Sequence, residues 1–176
     1  MGGFRVERTI LELSASKPLP RTLMSTIRNS AKAIIIRDHH LLAIRLQDKN
    51  GYWYTLPGGG QERGENLHDA LRRECREEIN SEIVIGDLRF VRDYIGNNHE
   101  FALENPDEHS VEIMFICGLE EGAAVGAGDV PDKGQLGIDW LPLDKLDSYR
   151  LYPLGLRPLL THHEDKDVPI YLGDIN

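Results

Sequence analysis

Cysteine is scarce in this chain: only Cys75 and Cys117 occur, each among apolar neighbours, too few for a disulfide framework or a four-cysteine zinc site. A reducing cytoplasm is therefore the expected compartment. No apolar run reaches the roughly 20 residues that a membrane helix needs, and no signal-peptide pattern opens the chain. Positive charge is also in deficit, with 20 Lys and Arg against 29 Asp and Glu and a formal net charge of −9. That balance argues against nonspecific binding to nucleic-acid polymers, where basic side chains supply most of the affinity. It leaves small phosphorylated ligands open, because metal ions screen carboxylates. No internal repeat is present. With 176 residues and 40% hydrophobic content, one core and one domain are expected.

The informative stretch is residues 57–82, PGGGQERGENLHDALRRECREEINSE. At about 100° per residue, Leu67, Ala70 and Leu71 mark the apolar side of a helix from about Asn66 to Ile79. Glu74 and Glu78 fall on that same side. Asp69, Arg72 and Arg76 already supply an opposite, solvated face, so the two glutamates need another reason. Like charges spaced i,i+4 repel, and more so when desolvated, unless a cation offsets them. Mg²⁺ suits three carboxylates at Glu74, Glu77 and Glu78, since it prefers hard oxygens and completes its shell with water and phosphate. An ordinary charged surface helix is the alternative from the acidic run alone. Gly58, Gly59 and Gly60 weigh against it. They follow the aromatic strand Tyr52–Thr55 and permit positive φ and close backbone approach to a ligand, with an exposed carbonyl as a further oxygen donor.

These residues resemble the Nudix hydrolase signature, G-x5-E-x7-R-E-U-x-E-E-x-G-U with U a bulky apolar residue. The pattern is met by Gly59, Glu65, Arg73, Glu74, Glu77 and Glu78, with Cys75 in the first apolar position. Asn80 and Ser81 depart from the closing glycine and apolar residue. Asn tolerates the left-handed helix cap, and Ile83 is the candidate for the missing apolar contact. The resemblance implies an α/β fold, an α/β/α sandwich around a mixed β-sheet, spanning residues 27–160. It implies metal binding by Glu74, Glu77, Glu78 and the Gly58 carbonyl, with Mg²⁺ as cofactor and Mn²⁺ as a substitute. Arg73 and Glu65 become the ion pair that orients the catalytic glutamates, and Gly59 and Gly60 let the backbone approach substrate.

Elsewhere, apolar runs at residues 31–36 and 41–46 read as a hairpin turning at Arg37–His40, with His39 and His40 as turn residues. Strands are expected near residues 83–85, 88–95 and 111–119. A glycine-rich link at 122–128 precedes Trp140-Leu-Pro-Leu, which is similar to the segment opening the last helical part of Nudix domains. The loop 96–110 is long enough to suggest a substrate-covering role. Glu112 sits in a strand apolar on both sides, where a carboxylate needs a partner. An arginine in the core, a strand-end position and a further catalytic acid all remain readings; Glu100, Glu104 and Glu108 are loop alternatives. For the first 23 residues two readings stand, a start of translation at Met24 or an arm that helps a homodimer form. Residues 161–176 read as a C-terminal tail, and His162 and His163 alone are a weak metal signal.

The resemblance implies Mg²⁺-dependent hydrolysis of a pyrophosphate bond, with water attacking and Glu77 or Glu78 taking its proton. It points to a nucleoside diphosphate linked to another group, ADP-ribose-like sugars first and nucleoside triphosphates, including oxidised dGTP, second. A non-catalytic nucleotide sensor is a third reading, disfavoured by the retained carboxylates. Asn97 stands where ADP-ribose enzymes carry a marker proline. Tyr52, Trp53, Tyr54 and Tyr94 are candidates for stacking on a base, and Asn98 and His99 for reading a base or ribose.

Overall fold

A computed structural model describes residues 26–100, 102–128, 134–165 and 167–176. Its order is β1 (Arg28–Arg37), β2 (His40–Asp48), β3 (Gly51–Thr55), α1 (Leu67–Ile79), β4 (Ile83–Ile95), β5 (His109–Leu119), β6 (Gly137–Pro142), α2 (Arg157–Thr161) and β7 (Tyr171–Asp174). The hairpin between β1 and β2 closes on Asp38 and His39, both at positive φ (50° and 60°). Two successive left-handed residues match the twist of a tight antiparallel hairpin. The strands form a seven-stranded mixed sheet in the order β3-β2-β1-β5-β4-β7, with β6 also paired to β2. β1 and β5 run parallel, placing Ser30 opposite Glu112 and Lys32 opposite Met114.

Alternation along β1 sorts two cores. Ala31, Ala33 and Ile35 face α1 and pack with Leu71, Cys75, Ile79, Phe115 and Cys117. Ile34 faces the other way, towards Phe90, Met114, Leu146, Leu156 and Leu160. The second face is covered by the 3-10 turn Leu143–Ser148 and by α2. Helices on both faces of a mixed sheet make the α/β/α sandwich that the sequence implied.

The ends of α1 are set locally. Asn66 caps the start, its side chain accepting from the Asp69 amide at 3.0 Å. Asn80 ends the helix in the left-handed region at φ 48°, and the amide of Asn80 donates back to Arg76. Ile83, 4% exposed, packs in the same cluster as Ile79 and fills the place Ser81 leaves.

Two expectations change. The segments near 83–85 and 88–95 are one strand, β4, with register shifts around Leu88 against β5. The irregularity absorbs Gly86-Asp87, which break the apolar alternation in sequence. Residues 161–176 are not merely a tail: β7 adds a parallel strand beside β4. The N-terminal extension, save Thr26, lies outside the described residues. Among the described residues no helix is long and apolar enough to cross a membrane.

Both cysteines are buried and unlinked. Burial pushes the Cys75 thiol well above its ordinary range, and it raises Cys117 to about 12. At pH 8 a thiol-disulfide reagent is therefore expected to titrate neither in the native protein and both after denaturation, as read by absorbance.

Candidate active site

The glycine turn is laid along the edge of β1. The Ala31 amide donates to the Gly59 carbonyl and that of Ala33 to Pro57, both at 2.9 Å. Gly58 holds φ 114°, and a Cβ there would fall 2.2 Å from the Ala31 carbonyl oxygen. No other residue fits. At Gly59 a Cβ would stand 2.6 Å from the Glu74 carboxylate, so the missing side chain is the space that carboxylate uses.

α1 presents its glutamates to this turn. Glu74 and Glu78 are 8% and 2% exposed. The Gly58 amide donates to Glu78 Oε2 at 2.7 Å, joining the helix to the turn. Arg73 organises the others. Its guanidinium donates to Glu65 through Nε (2.8 Å) and Nη2 (3.1 Å), to Glu74 (2.8 Å) and Glu77 (3.1 Å) through Nη1, and to the Gly60 carbonyl at 3.0 Å. Only a planar fork with several fixed donors can make that set. The Arg73 bond, aided by the Glu62 amide, holds the Glu65 carboxyl below its usual range, and the Glu65 and Glu74 bonds raise Arg73 further.

The glycine-rich segment after β5 braces the far end of α1. Gly126 donates to the Ile79 carbonyl at 3.1 Å, and the Glu78 backbone carbonyl accepts from the Gly128 amide at 3.3 Å and from the Gln135 side chain at 2.8 Å. A Cβ on Gly128 would meet the Glu77 carbonyl at 1.7 Å. Sequence reasoning treated this segment as a link. Its glycines were the signal of close backbone approach.

Among the described residues no three His, Cys, Asp or Glu side chains converge as a ready metal cage. The Glu74 and Glu77 carboxylates are held by Arg73, and Glu78 by Gly58. The donor set nevertheless fits a hard cation: three carboxylates and a backbone carbonyl, all oxygen. A positive group already rests on that carbonyl, since the Lys32 ammonium donates to Gly58 O and, at 3.5 Å, to Leu56 O.

Other expected site residues are placed differently. Glu112 points to the sheet face of Met114, away from α1, and receives Arg92 Nε at 2.7 Å. This is the arginine pairing, not a place beside the acidic helix. The pair instead lines a cavity of about 270 Å³ walled by Trp53, Tyr94, Tyr152 and Asn105. Tyr54 is corrected to a core residue: it is 8% exposed, donates to Asp139 at 3.2 Å and packs edge-on to Tyr149. Its neighbour Trp53 is the one at the cavity, while Tyr52 is exposed. Asn98 is likewise corrected to a tie, its amide donating to Asp174 of β7 at 2.6 Å. His99 joins the same carboxylate and stacks on Tyr94. Of the loop acids, Glu108 lines both the aromatic cavity and a second one of about 670 Å³. That second cavity lies beside Gln61 and carries Arg28, Arg63 and His109. His39, His162 and His163 border a cavity on the opposite part of the fold without forming a metal cluster.

Buried glutamates are thus presented to a backbone turn on a mixed-sheet sandwich. The NUDIX domain model matches residues 26–162, and the chain belongs to the Nudix family. The family generally uses divalent metal ions. A curated relative, the nucleoside triphosphatase NudI of Salmonella agona, is 36% identical over 58 residues, covering 31% of this chain and 41% of the relative. The match thus spans less than half of that protein's length. Among solved structures, an ADP-ribose pyrophosphatase from Streptococcus suis is 18% identical with TM-score 0.57, covering 85% of this chain and 100% of the other. A Nudix hydrolase from Nitrosomonas europaea is 16% identical with TM-score 0.61, covering 79% and 90%. At these identities the structural likeness is one of fold.

Proposed function

We propose that the protein hydrolyses a pyrophosphate bond in a small nucleotide, with Mg²⁺, or Mn²⁺ in its place, held by Glu74, Glu77, Glu78 and the Gly58 carbonyl. The observation that carries this reading is the burial of Glu74 and Glu78 against the Gly58-Gly59 turn. Two carboxylates are costly there unless a cation is part of their working state. When bound, the metal ion neutralises charge on the pyrophosphate oxygens and so eases attack by water.

The chain's own groups do the rest. Arg73, anchored by Glu65, positions Glu74 and Glu77 and fixes the Gly60 carbonyl. It is a positioning residue. Glu77 or Glu78 accepts the proton of the attacking water. The cavity of Trp53, Tyr94 and Tyr152 suits a base, with the Arg92 and Glu112 pair as its polar reader.

The substrate class we favour is a nucleoside diphosphate joined to a second group, with ADP-ribose or a related nucleoside diphosphate sugar first. Two cavities sharing Glu108 support it, because they offer one space for a base and another, polar and partly cationic, for the attached group. The name of the Salmonella relative favours a second reading, hydrolysis of nucleoside triphosphates. The experiment is incubation with Mg²⁺ and a panel of both classes, oxidised dGTP included, with products identified by mass. AMP and ribose 5-phosphate from ADP-ribose support the first reading. Monophosphate and pyrophosphate from a triphosphate would replace it with the second, and silence across the panel would favour a sensor.

A further inference from the structure

Lys32 is an unusual side chain for its place. It lies in a β1 run whose neighbours Ala31, Ala33 and Ile34 are fully buried. Its alternation puts it on the face of Ile34, opposite α1, and one step along the strand Ser30 is paired with Glu112 of the aromatic cavity. The side chain leaves the strand on the face that carries Glu112, and its hydrogen bonds go to the Leu56 and Gly58 carbonyls of the glycine turn. Gly58 is thus held through both of its flanking peptides: its amide donates to Glu78 and its carbonyl accepts from Lys32.

Resting on the site reading above, we propose that Lys32 and the divalent cation compete for the Gly58 carbonyl, and that the displaced ammonium becomes a contact for the phosphates of the substrate. A carbonyl oxygen has two lone pairs, yet a divalent ion and an ammonium directed at the same oxygen repel strongly at such short range. Metal entry therefore pushes the lysine off. The flexible four-carbon stem lets the displaced charge swing away from the glycine turn, where it can meet the phosphates of an arriving nucleotide. Without metal, the lysine occupies the carbonyl and keeps the turn in place. With metal, the same positive charge serves the anion that arrives next, so cation and nucleotide bind in a coupled order.

Two measurements test this. In the wild-type protein without substrate, reductive methylation of lysines followed by peptide mass spectrometry should show Lys32 labelled at least about threefold faster when Mg²⁺ is present, as expected for a released side chain. In the Lys32→Met variant, Mn²⁺ affinity followed by electron paramagnetic resonance should tighten by about tenfold, while KM for the nucleotide rises by a similar factor. Circular dichroism checks that the variant is folded, and the labelling result stands without any variant. Unchanged or slower labelling overturns the exchange, as does Mn²⁺ affinity that is equal or weaker; an unchanged KM overturns the substrate contact. Metal binding is read here without turnover. Hydrolysis with no exchange thus removes this inference alone, and exchange with no hydrolysis removes the hydrolase reading alone.

Discussion

Glu78→Gln is expected to lower kcat/KM by about 10³-fold while leaving the protein folded. The side chain is 2% exposed, and its Oε2 accepts the Gly58 amide. Glutamine has the same shape and keeps a carbonyl oxygen for that bond, so the helix stays fastened to the turn. What is lost is one negative charge at the place where the cation is held. The free protein should therefore melt within a few degrees of wild type, while the rise in Tm that Mg²⁺ gives the wild type should shrink, because ligand stabilisation follows affinity. Calorimetry with and without Mg²⁺, alongside steady-state kinetics, separates the two effects. A variant with wild-type turnover would remove Glu78 from the site.

Arg73→Lys should cost about 10²-fold in kcat/KM even though the charge is conserved. Arg73 makes five hydrogen bonds, to Glu65 twice, Glu74, Glu77 and the Gly60 carbonyl. An ammonium is a single point of charge and cannot span acceptors lying in those directions. Glu74 and Glu77 would lose their fixed orientation, and the melting temperature should fall by several degrees. A double-mutant cycle with Glu65→Gln checks the role: if Glu65 acts through Arg73, the double variant should be little worse than Arg73→Lys alone. Full additivity would mean that the two act separately. A wild-type kcat/KM for Arg73→Lys would mean that charge alone matters and the fork does not.

The helix carrying the glutamates was the most legible part of the chain, because every signal for it is local. Periodicity marked its buried side and Asn80 its C-cap, while Asn66, read as the approximate start of the helix, is its N-cap. The acidic pattern and its arginine were likewise readable from fixed spacing. Tyr54 was not, since an aromatic strand tells that rings alternate between faces but not which face meets the cavity; Trp53 took the place. The partner of Glu112 came from Arg92, 20 positions away on the neighbouring strand, and only the β4 and β5 register brings them together. Lys32 stayed hidden because a single lysine in an apolar strand reads as an edge residue until the glycine turn is folded beside it. β7 was missed because a four-residue strand after a polar stretch carries too little alternation to detect.

The most direct test of the hydrolytic site is to run the reaction in ¹⁸O-labelled water with Mg²⁺ and follow the label by mass spectrometry. Hydrolysis at the pyrophosphate bond predicts a single ¹⁸O atom on a phosphate of one product, with no incorporation when the metal is chelated and almost none with Glu78→Gln. Product formation that persists without metal, or at wild-type rate in Glu78→Gln, would contradict the assignment of the three glutamates.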